Sequence, residues 1–190
     1  METTTLQTPV TSRTIYNPVQ KDYVTFIKTA KETNGAYTLV EVQLAPGGGV
    51  PLHYHDTYSE KFDCVAGELS VQCNKEVLRL QPGQSATAPI NTLHRFFNQS
   101  EEPCRFVCRL EPGNPGFEQM LQINYGLARD GKVDAKGLPK SLLTMAHLLS
   151  LGDSRLPGPL AIIGFFFKIL AKQAVKKGIA QELQQKYVKF

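Results

Sequence analysis

From residue 20 to about residue 111 the chain is cut by turn residues into short runs, and this pattern restricts the region to an all-β sandwich or barrel. Residues 36–44 alternate cleanly. Thr38, Val40, Val42 and Leu44 point one way, and Tyr37, Leu39, Glu41 and Gln43 the other. Pro46-Gly-Gly-Gly49 ends that strand, and further strands are predicted over residues 53–55, 59–65, 69–73, 77–80, 86–88, 94–98 and 104–110. Turns fall between them, at Gly67, Asn74-Lys75, Pro82-Gly83 and Pro112-Gly113.

After Pro115 the period changes. Phe117, Met120, Leu121, Tyr125 and Leu127 sit close to helical spacing, and Gly131 follows as a stop. A second helix is predicted over residues 141–151 and a third over residues 160–188, weakened at Gly178. The chain thus divides into a loose, Thr-rich arm over residues 1–19, a β region over 20–112 and a helical C-terminal extension over 113–190.

The 190 residues are enough for one well-buried domain with a tail. An apolar share of 42% and a charged share of 20% are ordinary for a folded soluble protein. The net charge of +4 is a mild excess gathered at the C-terminus, which argues against nucleic acid as a partner. Cysteines 64, 73, 104 and 108 lack paired zinc-ribbon spacing, and the N-terminus lacks the basic and apolar regions of a secretory signal. Reduced thiols in a cytoplasmic protein are therefore expected.

The chemistry concentrates in two blocks. The first reads Gly47, five residues, His53-Tyr-His55, four residues, Glu60, six residues, Gly67. Residues two apart on a strand face the same side, so His53 and His55 project into one interior while Tyr54 points away, and Glu60 can come alongside from the next strand. The second block runs Gly83, Pro89, Asn91, His94, Asn98 and brings a third imidazole from a later strand. Three neutral imidazoles and a carboxylate suit Fe(II), Mn(II), Ni(II), Cu(II), Co(II) or Zn(II).

Both blocks resemble the two conserved motifs of the cupin superfamily. The first matches Gly-x5-His-x-His-x4-Glu-x6-Gly at every fixed position, and the second departs only at Asn91, where the family usually has Gly. Asn tolerates a left-handed backbone, so the turn is expected to survive. The resemblance implies a double-stranded antiparallel β-barrel of the jelly-roll type over residues 20–112. It also implies that His53, His55, Glu60 and His94 ligate one divalent transition metal, and that the protein is a homodimer, as many small cupins are.

Strand parity then fills in the surroundings. With Glu60 inward, Tyr58, Phe62 and Cys64 turn inward, as do Phe96 from His94, and Phe106 and Cys108 on the last strand. These six residues are the candidate substrate pocket, and Tyr58 and Glu60 the candidate catalytic groups. A six-coordinate ion with four protein ligands keeps open positions for water, oxygen or a chelating substrate. This suggests a metal-dependent oxidoreductase, such as a dioxygenase, acting on a small aromatic or carbonyl compound. A non-catalytic metal or small-ligand binding module and a metal-dependent isomerase or lyase are the other readings, because fold resemblance does not choose among them.

Residues 160–170 are more apolar than a surface helix needs, yet too short to span a bilayer. Lys168, Lys172 and Lys176 form a basic stripe, opposed by Ile163, Phe166, Phe167, Leu170, Ala174 and Val175. Packing of this apolar face on the barrel or across a dimer is expected, with contact to an anionic membrane surface as the alternative.

Overall fold

A computed structural model of the protein describes residues 12–158 and 164–190. Its strands are β1 (Thr14–Asn17), β2 (Asp22–Lys28), β3 (Thr38–Leu44), β4 (Tyr54–His55), β5 (Ser59–Ala66), β6 (Leu69–Cys73), β7 (Glu76–Leu80), β8 (Ser85–Ala88), β9 (His94–Phe97), β10 (Cys104–Glu111) and β11 (Ser154–Arg155). Four helices are described, α1 (Pro115–Arg129), α2 (Leu142–Leu151), α3 (Gly164–Lys176) and α4 (Ile179–Tyr187).

The strands form an antiparallel six-stranded sheet in the order β1-β2-β3-β10-β5-β8, a three-stranded sheet β7-β6-β9, and the short pair β11-β4. Hydrogen bonding among the described residues does not close these sheets into one barrel. They are joined instead by a shared core, where Leu69 and Val71 of β6 lie in one cluster with Val42, Phe62 and Phe106 of the larger sheet. Alternation decides which side chains enter it. On β3, Thr38, Val40, Val42 and Leu44 are buried, on β5, Glu60, Phe62 and Cys64, and on β10, Cys104, Phe106, Cys108 and Leu110. Register then stacks these sets side by side, with Phe106 between Val42 and Cys64, and Leu110 between Thr38 and Glu60. Each fully buried Val, Leu or Phe contributes about 1.5–3 kcal/mol, so a one-residue slip of β10 would be prohibitive.

Backbone conformation follows the motif residues. Gly67 has φ of 70°, and a Cβ there would stand 2.5 Å from the Pro103 carbonyl oxygen. Asn91, the departure from the motif, takes φ of 64° as expected for a left-handed residue.

Beyond shifts of a residue or two at strand ends and a break of the third helix at Gly178, three expectations change. The arm does not stay loose to residue 19, because Thr14–Asn17 pairs with Asp22–Lys28 across a turn held by the Asn17 side chain, whose Oδ1 accepts from the Val19 and Gln20 amides. Nor is the C-terminal extension purely helical, since Ser154–Arg155 pairs with Tyr54–His55. The strand expected over residues 53–55 is reduced to Tyr54–His55, with His53 bridging His94 by reciprocal backbone hydrogen bonds.

α1 starts at the Asn114 cap, whose side chain accepts from the Phe117 amide, and Pro115 at the first position suits the fixed φ of a helix start. Buried Glu118 docks it on the sheet, because one carboxylate oxygen accepts from both the Ala30 amide and the Thr38 hydroxyl at 2.6 Å. α4 packs on α1 through Leu183 and Tyr187, which share a second core with Ile123 and Leu127. α3 lies against α2, and Ala171 and Ala174 are buried among its described residues. Phe166 is 62% exposed and Val175 59%, so in the single chain apolar side chains share the outer face with Lys168, Lys172 and Lys176 rather than opposing them. The start of the predicted third helix, including Ile163, lies outside the described residues. None of the described helices is long and apolar enough to cross a membrane.

Candidate metal centre

Three segments deliver the four predicted ligands. His53 and His55 lie at and beside β4, Glu60 is the second residue of β5, and His94 opens β9. Their ligand atoms all lie within 4.8 Å of one another. His55, Glu60 and His94 are buried and His53 partly so.

The imidazoles share a second feature. His53 Nδ1 lies 2.8 Å from the Pro51 carbonyl, His94 Nδ1 2.8 Å from the Thr92 carbonyl, and His55 Nδ1 3.1 Å from the Asp153 carbonyl. A carbonyl only accepts, so each Nδ1 carries a proton and each Nε2 faces inward. This is the arrangement that orients metal-ligating histidines. The Tyr58 ring stacks on His55 with centroids 4.2 Å apart and fixes its plane from the other side.

Electrostatics separate the four groups. Burial would raise the Glu60 carboxyl, but the hydrogen bond from His94 and the surrounding imidazoles outweigh it and hold it at about 2. Burial, helped by the neighbouring rings, pushes His53 down to about 3 and also lowers His55. Burial opposes charge on His94 as well, yet Glu60 beside it raises that ring, whose Nε2 lies 2.9 Å from Glu60 Oε2. His55 Nε2 is buried with no hydrogen-bond partner among the described residues, 3.9 Å from Glu60 Oε1. A buried nitrogen lone pair left unmatched beside a carboxylate is costly, and a cation satisfies both at once. The donor set of three nitrogens and one oxygen fits a borderline transition metal.

A cavity of about 140 Å3 opens from His53, His55 and Glu60. Of the six residues predicted to line a pocket, Phe96 and Cys108 do so. Tyr58, Phe62, Cys64 and Phe106 point inward as parity requires, but they are packed into the core and form no part of that wall. Tyr58 is also not a free polar group, because its hydroxyl donates to the Gly152 carbonyl at 2.9 Å. Parity distinguishes inside from outside and cannot tell core from cavity. Much of the remaining wall comes from the helices, through Phe117, Met120, Leu121, Asn124 and Tyr125 of α1 and Met145, Leu148 and Leu149 of α2. The i, i+3, i+4 spacing in α1 was the available signal, together with a polar Asn in the middle of an apolar stripe.

Residues 40–109 match the family model described as the cupin domain. Quercetin 2,3-dioxygenase of Bacillus subtilis is 27% identical over 70 residues, covering 37% of this chain and 21% of its own. Polyketide synthase CurC of Streptomyces cyaneus is 38% identical over 73 residues, 38% of this chain and 47% of its own. Tetracenomycin polyketide synthase protein TcmJ of Streptomyces glaucescens is 31% identical over 77 residues, 40% of this chain and 52% of its own. The chain therefore spans between about a fifth and a half of the length of these curated relatives. Among solved structures, KdgF from a Halomonas species aligns with a TM-score of 0.45 and 20% identity, covering 50% of this chain and 82% of that one.

Proposed function

Because residues 40–109 are a cupin domain, we propose that the chain is a metal-dependent oxidoreductase, dioxygenase-like in its chemistry, acting on a small aromatic or carbonyl compound held in the cavity beside His53, His55 and Glu60. The observation that carries this reading is the unpartnered, inward-facing Nε2 of His55 in a set of three oriented imidazoles and one carboxylate that borders an apolar cavity. Similarity to a quercetin dioxygenase supports it over the matched segment. We further propose that the two larger sheets act as the double-stranded barrel of the family, that the chain works as a homodimer, and that it resides in the cytoplasm, where its four unpaired thiols stay reduced.

When bound, a divalent metal supplies Lewis acidity and open coordination positions for oxygen or a chelating substrate. The residues do the rest. Pro51, Asp153 and Thr92 carbonyls keep the three Nε2 atoms aimed inward. Glu60 stays ionised, so it would hold the metal as its anionic ligand or accept a proton as a base. His94 must surrender its Nε2 proton before it can ligate, which makes metal uptake pH-dependent. Val24, Val40, Val42 and Phe96 line the cavity with apolar surface and keep bulk water from the bound compound.

The test is metal analysis of the purified protein, followed by oxygen uptake with aromatic and diketone compounds after loading with each candidate metal. Stoichiometric metal and substrate-dependent oxygen consumption are expected. Metal without oxygen consumption under any loading would refute the oxidoreductase reading in favour of a binding module. Failure to bind any metal would refute both.

A further inference from the structure

We propose that Asn124 is a ligand anchor in the roof of the cavity, and that the compound bound there is a ring-sized, largely apolar molecule carrying a hydroxyl group that donates to Asn124 Oδ1. This deepens the proposed function and rests on it only for what happens at the metal end of the ligand.

The roof is built by the helical segment. Phe117, Met120, Leu121, Asn124 and Tyr125 occupy one face of α1 at helical spacing, and that face lines the cavity. Four of these positions are apolar or aromatic. Asn124 is the exception, and its Oδ1 is buried without a hydrogen-bond partner among the described residues. An amide oxygen in that condition carries the desolvation cost of an unmade hydrogen bond, which a ligand donor can relieve. The neighbouring Tyr125 hydroxyl cannot fill the role, since it donates to Asp22 at 2.6 Å.

Position and volume restrict the ligand. Phe117 meets the Tyr58 ring, which stacks on His55, so the N-terminal end of the α1 face adjoins the metal ligands. Asn124 stands seven residues further along, roughly 10 Å at the rise of an α-helix. The cavity of about 140 Å3 is close to the size, roughly 150 Å3, of an apolar cavity that accepts benzene. A hydroxyl entering apolar surroundings with no acceptor is penalised, so Asn124 would discriminate between a hydroxylated ring and its deoxy counterpart.

Phenol and benzene are suitable probes, with binding to the full-length chain followed by ligand-observed NMR, once with Zn(II) loaded and once after chelation. Asn124→Leu is expected to weaken phenol binding about tenfold and to leave benzene binding within twofold of wild type or tighter. Asn124→Asp keeps an acceptor oxygen in nearly the same shape and is expected to retain phenol within about threefold. The proposal is overturned if Asn124→Leu leaves phenol unchanged, or if phenol and benzene weaken together in both variants. Failure of the metal reading has a different signature, absence of bound metal, and it leaves the phenol-to-benzene ratio of the chelated protein intact.

Discussion

Asp22→Asn should make the protein more stable at pH 8 while leaving it little changed near pH 4. Asp22 sits fully buried on β2, one carboxylate oxygen accepting from Tyr125 and the other without a partner among the described residues. Burial raises its carboxyl from an ordinary 3.8 to about 7, against the opposing pull of the Tyr125 hydrogen bond. The folded chain therefore keeps this proton up to about pH 7, whereas the unfolded chain releases it near pH 4. Between those values the native state binds the extra proton, so stability falls as pH rises and the loss is complete above about pH 7. At 1.36 kcal/mol for each pH unit of that window, the loss is on the order of 4 kcal/mol. Asparagine accepts from Tyr125 in the same place and does not titrate. Urea unfolding of both proteins after chelation, at intervals from pH 4 to pH 8, measures the difference directly, because contributions from all other groups cancel. A gap between the two that does not widen with pH would refute the assignment of a neutral buried carboxyl.

The remaining predictions address the site and the helices. His53→Ala should abolish most metal binding and with it the metal-dependent rise in stability, about 4 kcal/mol at a thousandfold excess of metal over Kd, as read by metal content and thermal melts; full metal content in the variant would show that His53 is not a ligand. Tyr58→Phe should cost about 1 kcal/mol through the lost bond to Gly152 while metal content and oxygen uptake persist, so a large fall in turnover at unchanged stability would restore a catalytic role. Ending the chain after Pro157 removes Leu183 and Tyr187, worth about 1.5–3 kcal/mol apiece, and bares Ile123 and Leu127. Aggregation of the shortened chain is expected, and a soluble fragment with wild-type melting would show that the helices are dispensable.

Local periodicity made much of this architecture legible. The alternation that buries Glu60, Phe62 and Cys64 depends only on strand geometry, and the spacing of His53, His55, Glu60 and His94, with its resemblance to the cupin motifs, was enough to expect that these four side chains come together. β1 and β11 could not be read in that way. Thr-Ile-Tyr-Asn favours a strand but is too short to show alternation, and the two-residue Ser-Arg carries almost no preference; both are strands because Asp22–Lys28 and Tyr54–His55 offer them hydrogen-bonding edges. The cavity wall was hidden for a related reason. Phe62 and Phe106 are as inward as Phe96, and what leaves the latter beside open space is where α1 and α2 come to rest, a contact between residues far apart in sequence.

The carbonyl that orients His55 belongs to Asp153, 98 positions further along the chain. The same residue's carboxylate accepts from the Asp56 and Thr57 amides and the Thr57 hydroxyl, binding the loop after His55 to the end of α2. During synthesis His53, His55, Glu60 and His94 leave the ribosome long before that carbonyl exists, so the nascent cluster has one imidazole free to swing until the helical segment docks. For protein engineering, the helices are not a detachable cassette: a chimera that grafts residues 113–190 onto another scaffold, or trims them away, transfers or deletes the group that orients His55 in the candidate site.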